Sequence, residues 1–297
     1  APALGVAGAY GVALAAAVIR ERELSRFLGK GEAAAHAIAN ARPTAVNLSW
    51  GVNRVLSSIR RWSTTSEIRH AALQEAHRLA REDSESCHAI GDNGSALIAD
   101  GTTVLTHCNA GALACREWGT ALGIIRSAVE SGKEVQVIAC ETRPLFQGAR
   151  LTAWELNQDG IAVTVIPDSA AAYLMRKGEI DCAVVGADRI TRGAVFNKVG
   201  TYMHAVCARA HAIPFYVAAP LSTFDPVHSA NEIVIEERDR NEVAFCGGHA
   251  MIPEGVPVRN PAFDATPLDL VNAIVTESGI LRPPLDWDDI TRIHRVI

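Results

Sequence analysis

The chain has 297 residues, 48% of them hydrophobic and 21% charged, with a formal net charge of −5. That is enough apolar material for one large or two smaller globular domains. The mild acidity, with Lys and Arg scattered and no polybasic run, leaves no electrostatic case for nucleic acid or an anionic membrane surface as a partner. Seven cysteines, odd in number and without a C-x-x-C pair, argue against a disulfide framework, give poor support to a zinc site, and fit a reducing cytoplasm.

Residues 1–19 (APALGVAGAYGVALAAAVI) carry no charge. Their Ala and Gly content is only weakly apolar and no basic leader precedes them, so they predict a closely packed buried helix rather than a membrane span or secretion signal. The chain starts without Met, so further natural residues are expected upstream. Helical spacing of apolar residues recurs in 31–41 and 66–85. Between them Arg42-Pro43 marks a break, and Asn47 and Gly51 suit turns or caps. From about residue 95 short apolar runs (102–106, 134–139, 162–166, 181–186, 214–219) alternate with amphipathic stretches (110–131, 147–159, 169–178, 197–211). Strand and helix repeated this way predict an α/β fold, a parallel sheet with helices on both faces. The runs are apolar throughout, as strands covered on both sides should be. An antiparallel piece is expected from EIVIEE (232–237), and the last ten residues carry little signal.

Ligands of open parallel sheets bind outside the carboxyl ends of the strands. The five exits carry His107-Cys108-Asn109, Cys140-Glu141-Thr142-Arg143, Asp168-Ser169, Asp188-Arg189 and Pro220-Leu221-Ser222-Thr223, and should converge on one rim. A helix starting at Asn109 or Ala110 would place Cys108 at its N-terminus, where unpaired N–H groups and the dipole favour a thiolate near pH 7. The same helix starts, NAG (109–111) and QGA (147–149), suit a phosphate. No G-x-G-x-x-G follows the first strand and no P-loop motif is present, which disfavours dinucleotides and P-loop nucleotide binding. GVAGAYG (5–11) is read as helix packing. Asp188 caps a following helix or does chemistry, and His107 orients backbone or acts as an acid or base. Arg143 and Lys198 are surface charges or anion contacts. Cys115, Cys182 and Cys207 are packing residues. His88, His204, His211 and His249 share no spacing and are set aside.

The motifs THCNAGALA, GTALGIIR, ETRPLFQGARLTAWEL, GADRI, NKVGTY, IPFYVAAPLSTFD and NPAFDATP closely resemble the methylthioribose-1-phosphate isomerase family, from Ala1 to about Pro284. That family is related to ribose-1,5-bisphosphate isomerase and to regulatory subunits of a translation-initiation exchange factor. The resemblance implies a cytoplasmic homodimer acting on a small sugar phosphate in methionine salvage. It implies a mainly helical N-terminal domain over 1–90 and a Rossmann-like catalytic domain over 91–297. Carried onto this sequence, the catalytic cysteine falls on Cys108 and the catalytic aspartate on Asp188. Substrate contacts fall on Arg42, Gln147 and Lys198, with Asn109, Gly111 and Asn197 in the same motifs as further candidates.

A sugar whose anomeric oxygen carries phosphate cannot open its ring as a free aldose does. The expectation is that Asp188, its carboxyl pKa raised by an apolar pocket, protonates the ring oxygen, and that Cys108 as thiolate moves the C2 proton to C1. A direct hydride shift competes. Neither route needs a metal or organic cofactor. Four departures bear on the substrate. The Arg-Gly usual before APALG precedes the first residue here, Cys140 replaces an acidic residue, PDSAAAYL replaces TDNMAAYL, and Arg259 replaces an aromatic. Two other readings are an isomerase of another 1-phosphorylated pentose, such as ribose 1,5-bisphosphate, and a non-catalytic regulatory sugar-phosphate or nucleotide-binding subunit. The regulatory relatives generally lack the Cys108/Asp188 pair.

Overall fold

The computed structural model describes residues 2–42 and 46–294. Pro43, half of the expected break, lies outside them. Among the described residues the N-terminal part is four helices: α1 (Ala3–Val18), α2 (Leu24–Ala39), α3 (Val46–Ile59) and α4 (Thr65–Ser95). The glycine spacing of α1 does serve packing. A Cβ on Gly51 of α3 would lie 2.1 Å from the Gly5 carbonyl oxygen, so the two backbones meet where neither has a side chain. Asn47 and Gly51 are therefore inside a helix, not in the expected turn. Helix α4 is longer than expected. It starts at a capping box in which Thr64 and Glu67 satisfy each other's backbone N–H groups. None of the described helices is long and apolar enough to cross a membrane.

The rest of the chain follows in the order β1 (Thr102–Thr106), α5 (Ala121–Glu130), β2 (Val135–Cys140), α6 (Ala153–Gln158), β3 (Ala162–Ile166), α7 (Ala171–Lys177), β4 (Cys182–Val185), β5 (Arg189–Ile190), β6 (Ala194–Lys198), α8 (Thr201–Ala210), β7 (Phe215–Ala218), α9 (Asn241–Ala244), β8 (Phe245–Cys246), β9 (His249–Ala250), β10 (Phe263–Pro267), β11 (Ala273–Thr276), β12 (Gly279–Leu281) and α10 (Trp287–His294). Among the described residues the main sheet has seven strands in the order β12-β11-β7-β4-β1-β2-β3. All neighbours are parallel except the edge strand β12. Successive residues of each strand alternate between two cores. Val104, Val137 and Val184 pack on the α4/α5 face, while Leu105, Ile138 and Val185 pack on the α7/α8 face. β3 departs from the both-sides-covered expectation: it is an edge, and Ala162, Thr164 and Val165 are exposed. A second sheet, β10-β6-β5, is antiparallel. EIVIEE forms no strand, only an isolated bridge from Glu237 to Pro261, and the weak-signal C-terminus holds α10, anchored by buried Trp287 and Ile290.

Helix α4 ties the two parts together. Its Ile68, Ala72 and Leu79 belong to the core of the N-terminal helices, and its Ile90 to the core beneath the sheet. Asn47 of α3 adds a buried polar link. It donates to Thr223 Oγ1 at 3.2 Å and accepts from Ser222 Oγ at 3.0 Å. The fifth strand exit is thus spent on holding α3 rather than on an open rim.

Candidate active site

The strand order reverses direction between β1 and β4: β2 and β3 lie outward of β1 on one side, β7 and β11 outward of β4 on the other. A crevice opens at the carboxyl ends of two such strands. β1 delivers Cys108 there and β4 delivers Asp188. The two exits touch, since a Cβ on Gly186 would come within 2.8 Å of the Ala110 Cβ. Lys198 arrives from the second sheet. Its neighbour Val199 accepts a hydrogen bond from His107 Nε2 at 2.8 Å, which pins the end of β6 against the end of β1.

The three groups act on one another. Burial pushes the Cys108 thiol up to about 11; the Lys198 ammonium draws it back down and the Asp188 carboxylate pushes it further up. No helix begins at Asn109 or Ala110. Residues 109–111 turn away, a tight turn follows at Ala112–Ala114, and α5 starts only at Ala121. The expected helix dipole beside the sulfur is absent, and burial shifts the thiol upward, away from the thiolate that such a dipole would favour. Asp188 likewise caps no helix; it leads into the β5–β6 hairpin, its N–H donating to the Phe196 carbonyl.

The Cys108 backbone is held from both sides. Its φ of 65° is left-handed, a region that a side chain other than glycine rarely occupies. Its N–H donates to Thr142 Oγ1 at 2.8 Å, and its carbonyl accepts from Thr152 Oγ1 at 2.6 Å. Thr142 and Arg143 in turn donate their backbone N–H groups to the two Asp168 carboxylate oxygens, each at 2.7 Å. The exits of β1, β2 and β3 are therefore stitched into one frame. Neither threonine carries a sequence signal beyond its place in the ETRP and GARLT motifs.

Asn109 spends its side-chain amide on Thr152 and Glu155. Gly111 lies against Glu155, where a Cβ would sit 2.3 Å from Oε2. The same carboxylate accepts the N–H groups of Ala112 and Leu113 and pairs with Arg126. The amides following NAG, expected to cradle phosphate, are thus occupied by the protein's own anion. Asn197 is buried and donates to Thr201 Oγ1 at the start of α8. Lys198 Nζ donates to the Ala262 carbonyl at 2.9 Å and rests over the Phe263 ring. Gln147 Oε1 is buried without a hydrogen-bond partner among the described residues, an arrangement that a ligand hydroxyl would relieve. Arg42 lies one layer out, 3.6 Å from Glu236 Oε2. The Glu236 backbone binds Ala262, whose carbonyl takes Lys198. Arg143 is no free anion contact: its guanidinium donates to the Val243 carbonyl and stacks on Phe146. Two residues outside the sequence reading also belong here. Asp264 accepts the Gly200 and Tyr202 N–H groups at the start of α8, and burial pushes its carboxyl up to about 6. His204, set aside on spacing, packs its ring on His107.

The sequence profile of the initiation factor 2 subunit family matches residues 1–283. A putative methylthioribose-1-phosphate isomerase of Methanosarcina acetivorans is 52% identical over 98% of this chain and 83% of its own length. The methylthioribose-1-phosphate isomerase of Thermotoga maritima is 51% identical over 100% of this chain and 86% of its own. Among solved structures, the 5-methylthioribose 1-phosphate isomerase of Pyrococcus horikoshii OT3 superposes with a TM-score of 0.87 at 41% identity, covering 100% of this chain and 83% of that one. A protein of A. fulgidus described as translation initiation factor eIF-2B, subunit delta, superposes with a TM-score of 0.82 at 53% identity, covering 95% and 83%.

Proposed function

The chain belongs to the initiation factor 2 subunit family, and from that premise we propose that it is an aldose–ketose isomerase converting 5-methylthioribose 1-phosphate to 5-methylthioribulose 1-phosphate in methionine salvage. The observation that carries this reading is the meeting of Cys108, Asp188 and Lys198 as one electrostatic unit at the sheet's switch point.

In the proposed reaction Asp188 protonates the ring oxygen as its bond to C1 breaks. With the thiol raised to about 11, a resting thiolate base is scarce at neutral pH, and this favours the hydride shift over proton abstraction from C2. Hydrogen passes from C2 to C1 with its electron pair, and the proton on the C2 hydroxyl goes to the carboxylate that has just lost one. Cys108 packs against the C1–C2 edge and keeps water from it, Lys198 offsets the phosphate charge, and Gln147 accepts a sugar hydroxyl.

The test is direct detection of a ketose product from 5-methylthioribose 1-phosphate and, separately, from ribose 1,5-bisphosphate. Product from the first sugar alone supports the reading, and product from the second alone moves the substrate to another 1-phosphorylated pentose. No ketose from either would favour the regulatory-subunit reading, for which the A. fulgidus likeness speaks. In deuterium oxide, C1 free of deuterium supports the hydride route and deuterium at C1 supports the thiolate route.

A homodimer is part of the proposal. Exposed Tyr173 on α7 and Tyr202, Met203 and Val206 on α8 supply an apolar face for a second copy, and the solution mass is its test. Seven free cysteines support a cytoplasmic setting.

A further inference from the structure

Directly beneath Cys108 lies a second cluster that the proposed isomerase chemistry does not use. His107 follows β1, Cys140 ends β2 and His204 is on α8; each is about 1% exposed or less. One ligand atom from each, two imidazole nitrogens and a sulfur, lies within 4.8 Å of the other two. We propose that His107, Cys140 and His204 form a buried binding site for a borderline-soft divalent transition metal, of which zinc is the representative ion.

Two features of the geometry support this. His107 Nδ1 and His204 Nε2 are 3.3 Å apart, and two nitrogens bound tetrahedrally to one zinc at ordinary bond lengths stand about 3.3 Å apart. The other nitrogen of His107 is fixed by the Val199 carbonyl at 2.8 Å, the outer-shell partner that holds a ligating imidazole in one tautomer. Asp168 Oδ1 stands 3.8 Å from His107 Nδ1 and already accepts the Thr142 N–H.

Neutral imidazole nitrogens and one sulfur suit zinc, cobalt or copper and not magnesium or calcium. On binding, the Cys140 S–H bond breaks, its proton goes to solvent, and the sulfur electron pair forms the bond to the metal. The imidazoles bind through lone pairs and nothing is oxidised. Because three of its ligands are protein groups sealed in the core, the site braces the ends of β1, β2 and α8 against one another.

The experiment loads metal-free full-length protein with cobalt(II) and reads the near-ultraviolet sulfur-to-cobalt charge-transfer band, with bound zinc counted in parallel after gel filtration. One equivalent of each is expected, along with a rise in unfolding midpoint of about 5 °C on zinc loading. Cys140→Ser and, separately, His204→Gln are expected to lose the band. Cys108→Ser and Cys87→Ser are expected to keep it, the latter because Asp83, Cys87 and Cys115 form a separate cluster of potential ligands. Near-ultraviolet circular dichroism on each metal-free variant separates loss of the site from loss of the fold. Absence of the band in the folded wild type, or its survival in folded Cys140→Ser, overturns the proposal.

Discussion

Cys108 donates its backbone N–H to Thr142 Oγ1 at 2.8 Å, and the two residues share a left-handed backbone, with φ of 65° and 66°. Neither is a glycine, so each conformation costs on the order of 1 kcal/mol or more. The frame of threonine and Asp168 hydrogen bonds offsets that cost and aims the Cys108 sulfur at the switch point. Strain kept on both sides of one hydrogen bond fits a site whose geometry must be set before substrate arrives.

Thr142→Val keeps the shape of the side chain and removes the acceptor of the Cys108 N–H. The expected result is a fall in kcat of roughly 10- to 100-fold with KM nearly unchanged, together with a stability loss of about 1–2 kcal/mol for the unsatisfied N–H. Steady-state kinetics and urea unfolding measure the two. An unchanged kcat would mean that the clamp positions nothing.

The raised Cys108 thiol makes a chemical prediction. Below its pKa of about 11 the thiolate fraction grows tenfold per pH unit, so Cys108 alkylation by iodoacetamide should be slow at pH 7 and rise about tenfold for each unit to pH 9. Peptide mapping distinguishes Cys108 from the other six cysteines. Fast labelling at pH 7, flat with pH, would restore the thiolate base and with it the proton-transfer route.

Gly111→Ala forces a methyl group to within 2.3 Å of Glu155 Oε2. Glu155 must then leave the Ala112 and Leu113 N–H groups or Arg126. A stability loss of about 2–3 kcal/mol is expected, with activity reduced through a displaced 109–113 turn. A denaturation midpoint equal to that of wild type would show that the turn yields freely.

Asp264 predicts a pH dependence of the fold. Burial raises its folded pKa from 3.8 to about 6, so between those values the native state holds more of its proton than the unfolded chain does. Stability contributed by this group is full below about pH 3.8 and is lost as pH rises through about 6. The stability difference between Asp264→Asn and wild type should therefore shift in favour of the variant by roughly 1–3 kcal/mol between pH 4 and pH 7. Paired thermal melts across that window test it; a constant difference would place the Asp264 carboxyl in ordinary solvent.

Much of the α/β part was legible in local patterns. β1 and β3 occupy the expected apolar runs 102–106 and 162–166, because a strand that pairs on the sheet needs a short run of β-forming residues wherever it lies. The stretch 110–131 read as one helix because its Ala and Leu residues are good helix formers. Only from Ala121 does it become one, since Glu155, some forty residues on, captures the amides of Ala112 and Leu113 and Gly119 takes a left-handed turn. The helix over 147–159 begins instead with the wide turn Gly148–Thr152, whose backbone presses on the Cys140 carbonyl. At the site the types of Cys108, Asp188 and Lys198 were visible in the motifs, while their electrical state was not. Burial reversed the expected direction of the Cys108 shift, and burial is a property of everything packed around the sulfur.

The order of residues alone determined which side chains leave the ends of the strands, because chain connectivity and apolar runs are local and need no partner to be read. The tertiary structure alone decided what those side chains could do. Asn47 became an anchor because Ser222 and Thr223 meet it, and the half-buried Cys108 stayed a thiol because its sulfur is desolvated and no helix starts beside it. His107 and His204, 97 positions apart, met Cys140 because β1, β2 and α8 converge there. Hydrogen bonds, desolvation and metal coordination depend on distance through space, and that distance is set only when the chain closes on itself.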